Sequence, residues 1–273
     1  MQKKMWITDL DGTLLNNNEQ LPSSLYDAIN KIPSHTIKVI ATGRNLEKVR
    51  RAITNIQLFD FIIFSSGAGI YDTSKQSLIH VNNLSKHTCR IVFDFLDRQK
   101  YNFIYTQKVP FNQNLYYKEN YPCKHFDQYL YAHERDLDRN LTTLNNELAQ
   151  FMVFIPNNED LIQSITTQIH SISDELQVIR ATSPIDASFC WIEIFHREVS
   201  KGKAVRFLSH TLSIDLEHSI GVGNDYNDLD FLTIIGNPYV VENSPSDLKN
   251  RFNVVASNQD HGVLDVLKKH GIA

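Results

Sequence analysis

Short apolar runs recur along this chain, and each one ends in small, polar or charged residues. Met5 to Ile7 leads into Asp9-Leu10-Asp11-Gly12-Thr13, and Ile37 to Ala41 into Thr42-Gly43-Arg44. Phe61 to Phe64 leads into Ser65-Ser66-Gly67-Ala68-Gly69, and Ser219 to Val222 into Gly223-Asn224-Asp225-Tyr226-Asn227-Asp228. Between them lie segments whose apolar residues return at helical spacing. Leu25, Ile29 and Ile32 follow Pro22-Ser23-Ser24, and Leu46, Val49, Ile53 and Ile56 follow Arg44. A continuous apolar run is the mark of a strand buried on both faces. Strands alternating with helices specify a parallel sheet, because parallel neighbours are joined by a crossover that is usually helical. Ligands of such sheets bind beyond the carboxyl ends of the strands, which is where the polar clusters fall.

The first cluster carries two carboxylates one residue apart. On an extended strand Asp9 and Asp11 point the same way and face one cleft. Crowded carboxylates repel unless a cation lies nearby. Hard oxygen ligands of this kind suit Mg²⁺, which takes one or two carboxylates plus a substrate phosphate. Gly12 permits the turn that follows. The same residues also make an ordinary Asp-Gly turn. At the second cluster the Thr42 hydroxyl can donate to a phosphate oxygen, and Gly43 lets the backbone approach closely. Arg44 either contacts substrate or pairs with an acid. In Val199-Ser200-Lys201-Gly202-Lys203-Ala204, Ser200 is an N-cap for a helix from Lys201 to Leu208. Lys201 in its first turn opposes the helix dipole, which points to a non-structural use. Lys203 reads as a solvated helix lysine and His196 as a packing or surface residue. The Asn224–Asp228 cluster either caps the helix from Leu229 through Asp228 or completes a Mg²⁺ shell with Asp9.

Composition narrows the function classes. The chain has 273 residues, enough for one large domain or two modest ones, and a formal net charge of −4. That balance gives no reason to expect a nucleic-acid partner, and the basic stretch Lys48-Val49-Arg50-Arg51 reads as a helix surface. Cys89, Cys123 and Cys190 lack any metal-ligand or redox spacing and read as free thiols. No apolar run approaches the roughly 20 residues that span a bilayer. Met1-Gln2-Lys3-Lys4 leads straight into the first strand without a signal-type apolar region, so the cytoplasm is the expected setting.

From about Asn82 to Trp191 the character changes. Lys86–Lys100 and Asp160–Ile172 read as helices, and Phe103–Tyr105 and Phe151–Ile155 as strands. Tyr101–Tyr131 is rich in aromatic and amide residues and reads as surface rather than core. Glu193–Phe195 reads as the strand leading out of this region. Farther on, Tyr239–Val241 and Val254–Val255 read as strands, with a closing helix to Lys269.

Taken together, Asp9-Leu10-Asp11-Gly12-Thr13, Ala41-Thr42-Gly43-Arg44, Ser200-Lys201-Gly202 and Gly223-Asn224-Asp225-Tyr226-Asn227-Asp228 resemble the four motifs of the haloacid dehalogenase-like hydrolases. The long segment between the second and third resembles the large α/β cap of the Cof-type branch. The resemblance implies a Rossmann-like α/β parallel-sheet core (residues 1–81 and 192–273) with an inserted α+β cap (82–191) that closes over the site and sets substrate specificity. It implies a Mg²⁺-dependent phosphatase acting on small phosphomonoesters, sugar phosphates first, through an aspartyl-phosphate. Asp9 would be the nucleophile and Asp11 the general acid/base. Thr42, Gly43, Lys201 and Asn227 would bind the phosphoryl group. Asp9, Asp11, Asn224 and Asp228 would hold the metal, with Asp225 the alternative ligand. Two departures stand out: Ser66 occupies the place of a usual Asn, and Asn224 that of a usual Asp. A phosphomutase on the same scaffold and a non-catalytic phosphometabolite-binding protein are the alternatives. The implied partner is a small phosphorylated metabolite, with no nucleic acid and no membrane.

Overall fold

The structure, a computed structural model, describes residues 3–137, 146–183 and 185–272. Its strands are β1 (Lys4–Thr8), β2 (Thr36–Ala41), β3 (Phe61–Phe64), β4 (Gly69–Asp72), β5 (Ser77–Val81), β6 (Phe103–Gln107), β7 (Leu115–Lys118), β8 (Leu148–Pro156), β9 (Leu176–Thr182), β10 (Phe189–His196), β11 (Ile220–Gly223), β12 (Asn237–Val241) and β13 (Asn253–Val255). The chain divides into one unit of residues 1–80 and 200–273 and a second of residues 81–199.

In the first unit eight strands lie in the order β13-β12-β11-β1-β2-β3-β4-β5. The pairings from β13 to β3 are parallel, and β4 turns back antiparallel on β3. Successive side chains of β1 go to opposite faces. Met5 and Ile7 join Val39, Ile63 and Val240 in a core closed by Ala204, Val205 and Leu208 of helix Lys201–Leu212 and by Phe231 and Leu232 of helix Leu229–Leu232. Trp6 points the other way and stacks on Phe59, with ring centroids 6.1 Å apart. The continuous apolar runs are therefore two-sided strands, as their composition required.

The second unit is a five-stranded antiparallel sheet, β7-β6-β8-β10-β9. Its strands alternate cleanly. Phe103, Phe151, Val153, Ile192 and Ile194 pack against Cys89, Val92 and Leu96 of helix Lys86–Arg98 and Ile162, Ile165 and Ile169 of helix Glu159–Ile172. Ile104, Met152 and Phe154 face the opposite way, onto Phe126 and Tyr129 of helix Lys124–Ala132.

Two expectations change. The Tyr101–Tyr131 stretch is not uniformly surface: Tyr105, Tyr116, Phe126 and Tyr129 are buried, while Tyr117, Tyr121 and Tyr131 are exposed. Both faces of the sheet carry helices, so ring-bearing residues on either side of β6 find an interior. The second boundary falls at 199/200 rather than 191/192. All of β10 is held by β8 and β9, and that pairing carries residues 192–196 into the second unit.

Candidate active site

The parallel registers bring three strand ends to one level. Thr8, the last residue of β1, lies opposite Val222 of β11 and Ile40 of β2. Asp9 continues the ladder through one hydrogen bond, its N–H donating to the Val222 carbonyl at 2.9 Å. Its side chain thus emerges between the turn after β11 and the turn after β2.

Lys201 meets it there. Ser200 caps the helix as expected, its hydroxyl accepting from the Lys203 N–H at 3.1 Å. The Lys201 side chain is fully buried, and its Nζ donates to Asp9 Oδ1 at 2.7 Å and Asp228 Oδ1 at 2.6 Å, with Asn227 Oδ1 at 3.5 Å. Asp228 does not cap the helix from Leu229. Its Oδ2 instead accepts the Asn224 and Asp225 N–H groups at 2.8 and 3.1 Å, which fixes the turn after β11.

With both carboxyls ionised, this buried trio carries one negative charge in excess. Burial pushes the Asp9 carboxyl up to about 7; the Asp228 and Asp11 charges add to the rise and Lys201 opposes it. Burial raises Asp228 as well, against the same lysine and the two amides. Burial alone would lower Lys201, but the Asp228 and Asp9 carboxylates outweigh it and hold the ammonium charged.

Asp11 goes elsewhere. Strand geometry ends at Thr8, so the alternation that would aim both acids at one cleft does not extend to residue 11. The Leu10–Leu14 turn, with Gly12 at φ +70°, swings the Asp11 side chain to Arg44. Arg44 grips it with Nε at 2.8 Å from Oδ2 and Nη2 at 2.5 Å from Oδ1, and bonds Glu19 at 2.7 Å. Glu19 lies in the polar stretch Asn16-Asn17-Asn18-Glu19, where no spacing marks it.

A neutral polar shell completes the site. Thr42 is buried, its hydroxyl accepting from the Arg44 N–H at 3.1 Å. A Cβ on Gly43 would stand 3.6 Å from Ser66 Oγ and 4.0 Å from Asn227 Nδ2, so these three residues adjoin. A Cβ on Gly12 would come within 2.6 Å of Asn224 Nδ2; the Asn224 carboxamide lies against the turn that holds Asp11. Asn243 Nδ2 donates to the Gly12 carbonyl at 2.8 Å, a turn contact. Asp225 Oδ1 accepts from the Tyr226 N–H at 2.8 Å and caps its own turn.

The donor set fits a hard divalent cation. Asp9 is 5% exposed, Lys201 occupies its Oδ1, and no hydrogen bond to Oδ2 is seen among the described residues. An Asp9 carboxylate oxygen without a hydrogen bond, beside a second buried carboxylate, belongs to the oxygen chemistry that Mg²⁺ favours. Among the described residues no group of three or more His, Cys, Asp or Glu side chains forms a metal cluster. The three cysteines are free thiols. Among the described residues no helix is long and apolar enough to cross a membrane.

An aspartate at the end of the central parallel strand, gripped by a buried lysine that also reaches a second carboxylate and the Asn227 carboxamide, defines an α/β enzyme built around that carboxylate. Comparison with known proteins agrees. A sequence model of the haloacid dehalogenase-like hydrolases matches residues 6–267. The chain belongs to that family, in its Cof-type branch. Protein YxeH of Bacillus subtilis is 26% identical over 271 residues, covering 95% of each chain. Phosphatase YwpJ of the same organism is 24% identical over 298 residues, covering 97% of this chain and 99% of its own. Two solved structures share the fold. BT1666 of Bacteroides thetaiotaomicron superposes with a TM-score of 0.81 at 18% identity over 100% of this chain and 96% of its own. The subclass IIB sugar phosphatase BT4131 gives 0.76 at 18% identity over 99% and 100%.

Proposed function

We propose that this enzyme is a Mg²⁺-dependent phosphatase of small phosphomonoesters, sugar phosphates first, working in the cytoplasm through an aspartyl-phosphate. The observation that carries the reading is the Asp9–Lys201–Asp228 trio: a buried carboxylate at a strand end, fixed by an ammonium that remains charged. Phosphatase YwpJ and the sugar phosphatase BT4131 support the substrate class.

In the first step an Asp9 oxygen attacks phosphorus in line. The phosphorus–oxygen bond to the leaving alcohol breaks, and that alkoxide takes a proton from Asp11. In the second step Asp11 takes a proton from water, the resulting hydroxide bonds to phosphorus, and the bond to Asp9 breaks. Inorganic phosphate leaves and the carboxylate is restored. Lys201, the Thr42 hydroxyl, the Gly43 backbone and Asn227 meet the charge that spreads over the phosphoryl oxygens. Proton delivery requires Asp11 to let go of Arg44, since a carboxylate held in a guanidinium fork stays ionised.

Asp9 and Asn224 would hold Mg²⁺ through side-chain oxygens, and Asp11, whose carboxyl serves as the acid, through its backbone carbonyl. Asp228, its oxygens already bonded to Lys201 and two amides, acts as support behind them. The self-capping contact of Asp225 favours Asn224 over it as the ligand. The cation, when bound, supplies further neutralisation of phosphoryl charge.

The test is turnover of p-nitrophenyl phosphate with Mg²⁺. Release of phosphate that disappears in Asp9→Asn supports the reading, and a panel of phosphorylated metabolites then ranks substrates. Wild-type protein without turnover, or Asp9→Asn with undiminished turnover, overturns it.

A further inference from the structure

Helix Lys201–Leu212 begins with a combination that local preference disfavours. A lysine in the first turn opposes the dipole, and a glycine at the next position costs roughly 1 kcal/mol relative to alanine within a helix. The first turn contains no acid of its own. The structure supplies one from another element. Asp230 Oδ2 accepts the Gly202 N–H at 2.8 Å. This is one of the amides that an N-terminal turn leaves without an internal partner. The carboxylate also brings negative charge to the positive end of the helix.

Glycine at 202 follows from the same contact. A Cβ there would stand 2.8 Å from Asp230 Oδ2 and 2.9 Å from the Asp230 backbone carbonyl carbon, closer than real contacts allow. The two helices meet without a spacer. Below this point they are locked by Ala204, Val205, Leu208, Phe231 and Leu232, which share one buried cluster.

Asp230 lies two residues beyond Asp228, at the start of helix Leu229–Leu232. Asp228 holds the Lys201 ammonium, and Asp230 holds the backbone one residue past Lys201. One short segment therefore grips the lysine at its tip and at its root. A flexible four-carbon side chain reaches a buried point reliably only when its Cα is fixed, because each free rotamer spreads the charge over a larger volume.

We infer that Asp230 is a positioning residue: it seats the first turn of the helix through the Gly202 N–H, so that Lys201 reaches Asp9 with a fixed geometry. The role in turnover rests on the phosphatase reading; the seating of the lysine does not. In ¹H–¹⁵N spectra of the metal-free full-length protein, a buried, doubly paired ammonium exchanges slowly, and the Lys201 Nζ resonance is assigned by its loss in Lys201→Met. Asp230→Ala is expected to remove or broaden that resonance. With Mg²⁺ and p-nitrophenyl phosphate it is expected to lower kcat roughly tenfold while KM moves less than about twofold. Asp230→Asn retains an acceptor oxygen for the amide and is expected to keep the resonance and hold kcat within about threefold of wild type. It also serves as the test if the alanine variant fails to fold. An alanine variant that retains the resonance and kcat, one that raises KM alone, or an asparagine variant that loses the resonance overturns the proposal. Absent turnover in wild type would sink the phosphatase reading and leave the spectroscopic test standing.

Discussion

Lys201→Met is the most informative single perturbation, since methionine preserves the apolar stem and deletes only the charge. The lysine side chain is 0% exposed, that of Asp228 0% and that of Asp9 6%. Removing one partner of a buried ion pair costs about 3–5 kcal/mol while the remaining charge persists. Here the remaining groups are acids, and protonation relieves them. Both have folded pKa values above the 3.8 of an ordinary aspartate, with Asp9 at about 7, and both rise further without the lysine. An acid raised on folding destabilises increasingly as pH climbs from its unfolded value to its folded one, at about 1.4 kcal/mol per pH unit per proton. The full deficit therefore holds near pH 8 and shrinks by about 1–3 kcal/mol near pH 5.5, where the variant binds an extra proton. The assay is thermal unfolding in chelator. The chain has two tryptophans, so in a Trp191→Phe background the buried Trp6 reports on the first unit alone. At about 2–4 °C per kcal/mol, Tm should fall by roughly 6 °C or more near pH 8, and by clearly less near pH 5.5. A Tm within about 2 °C of wild type near pH 8, or a deficit that widens as pH drops, would refute the reasoning.

The same acids predict how wild type responds to metal. Metal-free protein should lose stability as pH rises from about 4 to about 7, because folded Asp9 keeps its proton through that window while the unfolded chain has released it. Millimolar Mg²⁺ should then raise Tm more near pH 8 than near pH 5.5, since proton and cation compete for one carboxylate. Equal shifts at both pH values would exclude Asp9 as a ligand. Asn224→Asp should lower the Mg²⁺ midpoint, on the order of tenfold, by adding a charged oxygen donor. An unchanged midpoint would mean that residue 224 does not touch the ion.

Much of this protein is decided by local pattern. Continuous apolar runs fix the strands of the parallel sheet, and helical spacing fixes the segments between them, because burial on one or two faces imposes a period on the residues themselves. Ser200 as an N-cap is equally local: its hydroxyl serves an amide three residues on. Asp9, Thr42 and Lys201 stand out because each breaks from an apolar or helical pattern at an element end. Other features are invisible at that range. Lys201 meets Asp9 across 192 residues and Asp228 across 27, and the packing of its helix on the sheet together with the register of β1 with β11 makes those contacts. Asp11 looks like the twin of Asp9 on paper. Its side chain goes to Arg44 because the strand stops at Thr8 and the Leu10–Leu14 turn, with Gly12 at φ +70°, redirects the chain. Glu19 and Asp230 carry no spacing signal, and the rings of Tyr105, Tyr116 and Phe126 become core only once helices cover both faces of their sheet. A sequence records which backbone each stretch prefers. Which charges end up within 3 Å of one another is settled by how distant stretches pack, and at this site that packing sets the pKa of Asp9 and the seat of Lys201.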